Sequence, residues 1–305
     1  MDTTVKVLLL GAAQDGGVPQ AGCVCAVCDR ARTAPAPSYL VCSLGVIDYH
    51  EGLFWLVDAT PDLRTQLHLL QSHATGCRLA GILITHAHMG HYTGLIHLGR
   101  EAMNARNLPL YGTPAFGSFL QSNAPWKQLV ETGNVAWRAV QPGQGLQLTP
   151  RLNVTPVAVP HRAEYTDTVG YLLRGPSRAM FYCPDIDGWS QWGRDVRAFL
   201  AQFVLFTSIT PIRCGGPVRN VPGWKQRALQ LVQRASPGHF ESTPASCQRQ
   251  SRTRDTAQGL GKLALVTGLN DNAQQAGNRN GLQGLDDDPA QLVRADEQAL
   301  QDRAR

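Results

Sequence analysis

The chain has no apolar run long enough to span a bilayer. Its opening, Met1 to Gly11, starts on an acidic residue and carries too short an apolar stretch for a secretory signal. These absences predict a cytoplasmic protein without integral membrane association. Charge is scarce and nearly balanced in the first two-thirds: residues 1–205 hold 15 Lys and Arg against 14 Asp and Glu, whereas 206–305 hold 13 against 9. A body so near neutrality offers no electrostatic footprint for nucleic acid. No disulfide framework is legible either. Three of the eight cysteines crowd into Cys23-Val24-Cys25-Ala26-Val27-Cys28, a spacing that suits thiolates around a metal in a reducing compartment.

The chain is organised around Gly81 to His91. Gly81-Ile82-Leu83-Ile84 reads as a buried strand, and it stops abruptly at Thr85-His86-Ala87-His88-Met89-Gly90-His91. Three of the nine histidines thus fall within six residues at one strand end. On extended backbone His86 and His88 point the same way, and His91 closes over them from the first turn of the next segment, an arrangement that suits a metal. Two later strand ends carry ligand-type residues: Leu152 to Val159 runs into Pro160-His161, and Ala179 to Tyr182 runs into Cys183-Pro184-Asp185. Strand ends along one sheet edge converge, so His161 and Asp185 are candidates for the same cluster. Asp58, at the end of the strand Leu53 to Val57, is a candidate either for the metal or for orienting a histidine.

The cysteines read as a zinc knuckle in which Cys23, Cys25 and Cys28 give three thiolates to a structural ion. Asp48, His50 and a residue of the tail are candidates for the fourth ligand. His68, His73 and His97 are read as surface or packing residues. Helices are expected over Pro61–Ser72, Tyr92–Asn104 (with Leu95, Ile96, Leu98 and Met103 facing inward) and Trp189–Phe203, with the loop Ala12–Gln20 a wide turn.

His86-Ala87-His88-Met89-Gly90-His91, followed by His161 and Asp185, resembles the HxHxDH, His and Asp series of the metallo-β-lactamase superfamily. Within it, Gly11 to Gln20, the cysteine cluster, Thr85 to Leu95, Val159 to Arg162 and Pro184 to Asp187 resemble the coenzyme PQQ synthesis protein B family. The resemblance implies an α/β fold, an αββα sandwich over residues 1–205, incomplete at its C-terminus. It also implies a structural zinc on the cysteines and a zinc or iron ion on His86, His88, His91, His161 and Asp185, with Asp185 and His91 in catalytic roles. The function implied is pyrroloquinoline quinone (PQQ) biosynthesis, by oxidation of a tyrosine-derived precursor or by moving PQQ or a precursor to the periplasm. Hydrolysis of a phosphodiester or lactone, or non-catalytic binding of an intermediate, are the alternatives. The expected partner is a small-molecule or short peptide-derived substrate, and a homodimer is left open.

Two departures stand out. Gly90 occupies the place of the superfamily's Asp, which predicts a poor second metal position on His91 and Asp185 alone. From Phe206 the strand–helix rhythm stops, so 206–305 is expected to be a disordered or out-of-frame tail.

Overall fold

The computed structural model describes residues 4–33 and 39–201 and the backbone of two short strands at 205–208 and 266–268. In chain order the elements are β1 (Val5–Gly11), α1 (Ala26–Thr33), β2 (Ser43–Asp48), β3 (Leu53–Val57), α2 (Leu63–His73), β4 (Arg78–Leu83), α3 (Met89–Tyr92) and β5 (Leu108–Gly112). There follow α4 (Pro114–Ser122), α5 (Ala124–Glu131), β6 (Val135–Ala139), β7 (Leu146–Thr149), β8 (Leu152–Ala158), β9 (Val169–Arg174), β10 (Ala179–Cys183), α6 (Val196–Leu200), β11 (Leu205–Ser208) and β12 (Val266–Gly268).

The strands form two sheets, β12-β1-β2-β3-β4-β5-β6 and β11-β10-β9-β8-β7. Strand alternation assigns the faces. In β1, Val5 and Val7 point to one side and Leu8 and Leu10 to the other, and all four are buried. The first pair joins Leu44, Val46, Trp55, Val57 and Leu83 against Val154, Val169, Tyr171, Leu173 and Tyr182 of the second sheet, which makes the layer between the sheets. The second pair packs with Ile82, Leu110, Leu63, Leu70, Phe116 and Leu120 under the helices of the first sheet. Trp192 covers the outer face of the second sheet, stacked on Phe181 with ring centroids 6.1 Å apart. The result is an αββα sandwich.

Two expectations need correction. The segment after β4 is not one helix to Asn104: α3 is a single turn, Thr93–Leu98 winds as a 3-10 helix, and Gly99 is extended. Tighter winding rotates the residues out of α-helical phase, so Ile96 and Met103 are 64% and 44% exposed while Leu95 and Leu98 are buried. Trp189–Phe203 is likewise broken, because Gly193 adopts φ 65° between a 3-10 turn at Trp189–Trp192 and α6. Beyond α6 two short strands are described. β11 runs parallel to β10 as far as Ser208, and Val266–Gly268 pairs antiparallel with β1 through Lys6–Leu8. The rest of the expected tail lies outside the described residues. Among the described residues no helix is long and apolar enough to cross a membrane.

Candidate metal centre

β3, β4, β8 and β10 end at the same edge of the sandwich, and each delivers a site residue just past its last paired position. After β4 the chain stays extended through Ile84 and Thr85, whose carbonyl oxygen accepts from the Val169 amide of the second sheet at 3.1 Å. The Ala87 amide donates to Thr166 Oγ1 at 3.0 Å, which fixes the turn bearing His86 and His88. His91 follows on α3. Asp58 sits beyond β3 with φ 66°, a left-handed conformation tolerated by Asp more readily than by bulkier residues. Its amide donates to the Leu83 carbonyl oxygen, which ties it to β4.

Four donor atoms converge. His86, His88, His161 and Asp185 each offer one atom, and all four atoms lie within 4.8 Å of one another. His88 Nδ1 is 2.9 Å from His86 Nε2 and 3.1 Å from His161 Nε2. Asp185 Oδ2 is 3.4 Å from His86 Nε2, 3.5 Å from His161 Nε2 and 3.2 Å from His91 Nε2. A second set shares that oxygen: Asp15, His91 and Asp185 also converge within 4.8 Å, with Asp15 Oδ1 3.6 Å from His91 Nε2.

The outward nitrogens decide which way each ring is used. His88 Nε2 lies 2.7 Å from Glu164 Oε2, His161 Nδ1 lies 2.7 Å from Asp187 Oδ1, and His91 Nδ1 lies 2.8 Å from Asp58 Oδ2. His86 Nδ1 is 2.9 Å from Thr85 Oγ1. A carboxylate only accepts, so His88, His161 and His91 carry a proton on the outward nitrogen and, when neutral, turn a lone pair inward. Lone pairs facing one another at about 3 Å repel unless a proton or a cation lies between them. One nitrogen inward and the other held by an oxygen partner is the arrangement of metal-ligating imidazoles. The donor set therefore fits a metal ion.

Electrostatics point the same way. Burial above all, then the charge on His91, pulls the His86 imidazole down to about 3, so it stays neutral. Burial opposes a charged His91 most strongly, but Asp58, Asp15 and Asp185 outweigh it and hold His91 well above the ordinary histidine range. Burial also opposes ionisation of Asp185. The imidazole nitrogens of His161, His86 and His91 close around Oδ2, and with the charge of His91 they reverse this, so the carboxyl titrates far below the usual range. A half-buried carboxylate ringed by imidazoles is ready to accept a cation.

The cysteines form a separate cluster. The Sγ atoms of Cys23, Cys25 and Cys28 lie within 4.8 Å of one another. The Gln20 amide donates to Cys28 Sγ at 3.2 Å and the Cys25 amide to Cys23 Sγ at 3.4 Å. Among the described residues no His, Asp, Glu or fourth Cys completes the group. Asp48 is buried at the end of β2, where it accepts from Thr149 Oγ1 and from the His50 and Glu51 amides, and His50 Nδ1 pairs with Glu51. Neither completes the cysteine cluster. The expected tail ligand lies outside the described residues. His68 and His73 are exposed, as expected, and His97 is half-buried in the 3-10 segment.

The structure brings together His86, His88, His91, His161 and Asp185, and it places Asp58 against His91 Nδ1 and Thr85. It puts Asp187, on the segment read as a source of carboxylate ligands, against His161 Nδ1, and it adds two carboxylates that sequence reasoning missed. Glu164 lies three residues from His161, and that proximity was its only signal. Asp15 lay in a loop read for its glycines, and its role depends on a distant residue.

A beta-lactamase superfamily domain model matches residues 55–240. The coenzyme PQQ synthesis protein B of Methylobacterium radiotolerans is 30% identical over 244 residues, which cover 72% of this chain and 79% of that protein. The protein of the same name from Nitrosococcus oceani is 30% identical over 205 residues, covering 58% of this chain and 65% of that one. Among solved structures, Zn(2+)-bound PqqB from Methylobacterium extorquens shares the fold with a TM-score of 0.55 at 21% identity, covering 67% of this chain and 72% of the other. The chain belongs to the coenzyme PQQ synthesis protein B family of the metallo-β-lactamase superfamily.

Proposed function

We propose that the chain is a metal-dependent protein of PQQ biosynthesis that acts on a PQQ precursor at the sheet edge, with His86, His88, His161 and Asp185 holding a zinc or iron ion. The observation that carries this reading is the convergence of those four donors with the outward nitrogens already held by Thr85, Glu164 and Asp187. Family membership supplies the pathway. A bound zinc ion supplies Lewis acidity to a substrate oxygen, and iron supplies redox capacity as well.

The chain's own residues set the conditions for that chemistry. Glu164 and Asp187 keep the His88 and His161 rings from turning. Asp58 keeps a proton on His91 Nδ1 and aims Nε2 at the centre. Asp185, 19% exposed, stays ionised, faces the ligand cluster and can be approached from outside, which suits it to orient a group that arrives at the metal. Cys23, Cys25 and Cys28 hold a structural zinc in the same reading.

Hydrolysis of a phosphodiester or lactone is the second reading. It is favoured by the second donor group, Asp15, His91 and Asp185, which shares Asp185 with the first. The test is expression of the chain, and of its His161→Ala variant, in a bacterium deprived of its own coenzyme PQQ synthesis protein B. The parent should restore PQQ and the variant should not. Turnover of a generic phosphodiester by the purified protein, without restoration of PQQ, would replace the biosynthetic reading with the hydrolytic one.

A further inference from the structure

The gap left at Gly90 is filled from elsewhere in the chain. A Cβ built on Gly90 would lie 2.6 Å from Cα, Cβ and Cγ of Asp15, far inside contact distance. The Asp15 side chain thus occupies the space that a side chain at position 90 would enter, and only glycine at 90 leaves room for it. Asp15 is not adrift there. The Ala12 and Ala13 amides donate to the Leu40 carbonyl oxygen at 3.0 and 2.9 Å, the Cys42 amide donates to Ala13, and Val18 and Tyr39 exchange hydrogen bonds in both directions. These contacts hold the loop on both sides of the residue.

An independent observation shows what this position faces. His91 is 1% exposed, its Nδ1 is taken by Asp58, and its Nε2 is buried without a hydrogen-bond partner among the described residues. Asp185 Oδ2 and Asp15 Oδ1 approach that nitrogen to 3.2 and 3.6 Å but do not bond to it in acceptable geometry. An orphaned buried nitrogen costs stability, and a cation shared with two carboxylates would satisfy it.

We propose that Asp15 replaces the carboxylate missing at Gly90, so that Asp15, His91 and Asp185 hold a second divalent ion, with Asp185 shared between the two positions. This inference rests on the reading of His86, His88 and His161 as holding the first ion. It replaces the expectation that Gly90 leaves a poor second position: Gly90 is the condition for Asp15 to serve.

The test counts ions in the full chain. Parent, Asp15→Ala, Asp15→Asn, Gly90→Ala and His86→Ala proteins are incubated with Zn2+, desalted and measured by elemental analysis, with circular dichroism as the check on folding. Asp15→Ala and Asp15→Asn should each hold one zinc ion fewer per chain than the parent. Gly90→Ala changes no ligand, yet it should lose the same ion by pushing Asp15 aside. If folded Asp15→Asn holds as much zinc as the parent, Asp15 merely pairs with protonated His91 and the proposal falls. If His86→Ala also holds as much as the parent, the first ion's assignment falls as well. Loss of zinc in His86→Ala but not in the Asp15 variants overturns the second position alone.

Discussion

Asp58 Oδ2 and His91 Nδ1 meet at 2.8 Å where the two side chains are 0% and 1% exposed. Asp58 also accepts from the Thr85 amide and from Thr85 Oγ1, so a single carboxylate joins the ends of β3 and β4 to α3. Asp58→Ala leaves a buried imidazole without its counter-ion and should cost about 3–5 kcal/mol. Asp58→Asn keeps the shape but not the charge, and it should weaken Zn2+ binding roughly 10–100-fold. Thermal melts and a zinc titration of the two variants check both figures.

Cys25→Ser should remove one zinc ion per chain and leave the histidine site loaded. The loop Ala12–Gln20 hangs partly on this cluster through the Gln20 amide and Cys28. Hydrogen exchange at Gln20 should therefore accelerate in the variant, and the melting temperature should fall. Unchanged zinc content would show that the thiolates hold no ion.

Tyr171 and Tyr182 are both fully buried between the sheets, but their hydroxyls differ. Tyr171 donates to the Ile84 carbonyl oxygen at 2.8 Å, whereas the Tyr182 hydroxyl has no partner among the described residues. Tyr171→Phe should cost about 1 kcal/mol, and Tyr182→Phe should be neutral or stabilising by a similar amount. Burial raises both phenols well above their ordinary value of 10.0. A raised phenol keeps its proton in the folded state after the unfolded chain has lost its own. The stability it contributes is therefore complete below about pH 10 and lost as pH rises beyond. Melting curves from pH 9 to 11 should fall less steeply for Tyr182→Phe than for the parent.

The sequence made the centre legible where chemistry sat at strand ends. His86, His88, His161 and Asp185 each follow an apolar run, and a run that ends in a ligand type marks both a strand and the edge it reaches. The sandwich was legible for the same reason, since β1, β3, β4, β8, β9 and β10 fall on apolar stretches. What failed was local winding. Leu95, Ile96 and Leu98 fit helical spacing, but the close approach of Gly94 to the Thr60 carbonyl oxygen, 2.1 Å from where a Cβ would stand, goes with a tighter turn that exposes Ile96. Asp15 was illegible for a deeper reason. Gly90 alone read as a lost ligand and Asp15 alone as a loop residue, and the information lies in their juxtaposition, which only the folded chain creates.

That juxtaposition bears on how such proteins are recognised. A search pattern demanding Asp between His88 and His91 would discard this chain as a degenerate relative, although a carboxylate stands in the same volume by another route. On the proposal above, the ligand cage is a place in space, and a residue from a distant part of the chain fills it. Homologues should then divide into two populations, with acid in the helical turn and a neutral residue in the N-terminal loop, or glycine in the turn and acid in the loop. Chains with both acids would be crowded out by sterics, and chains with neither would have given up the second position.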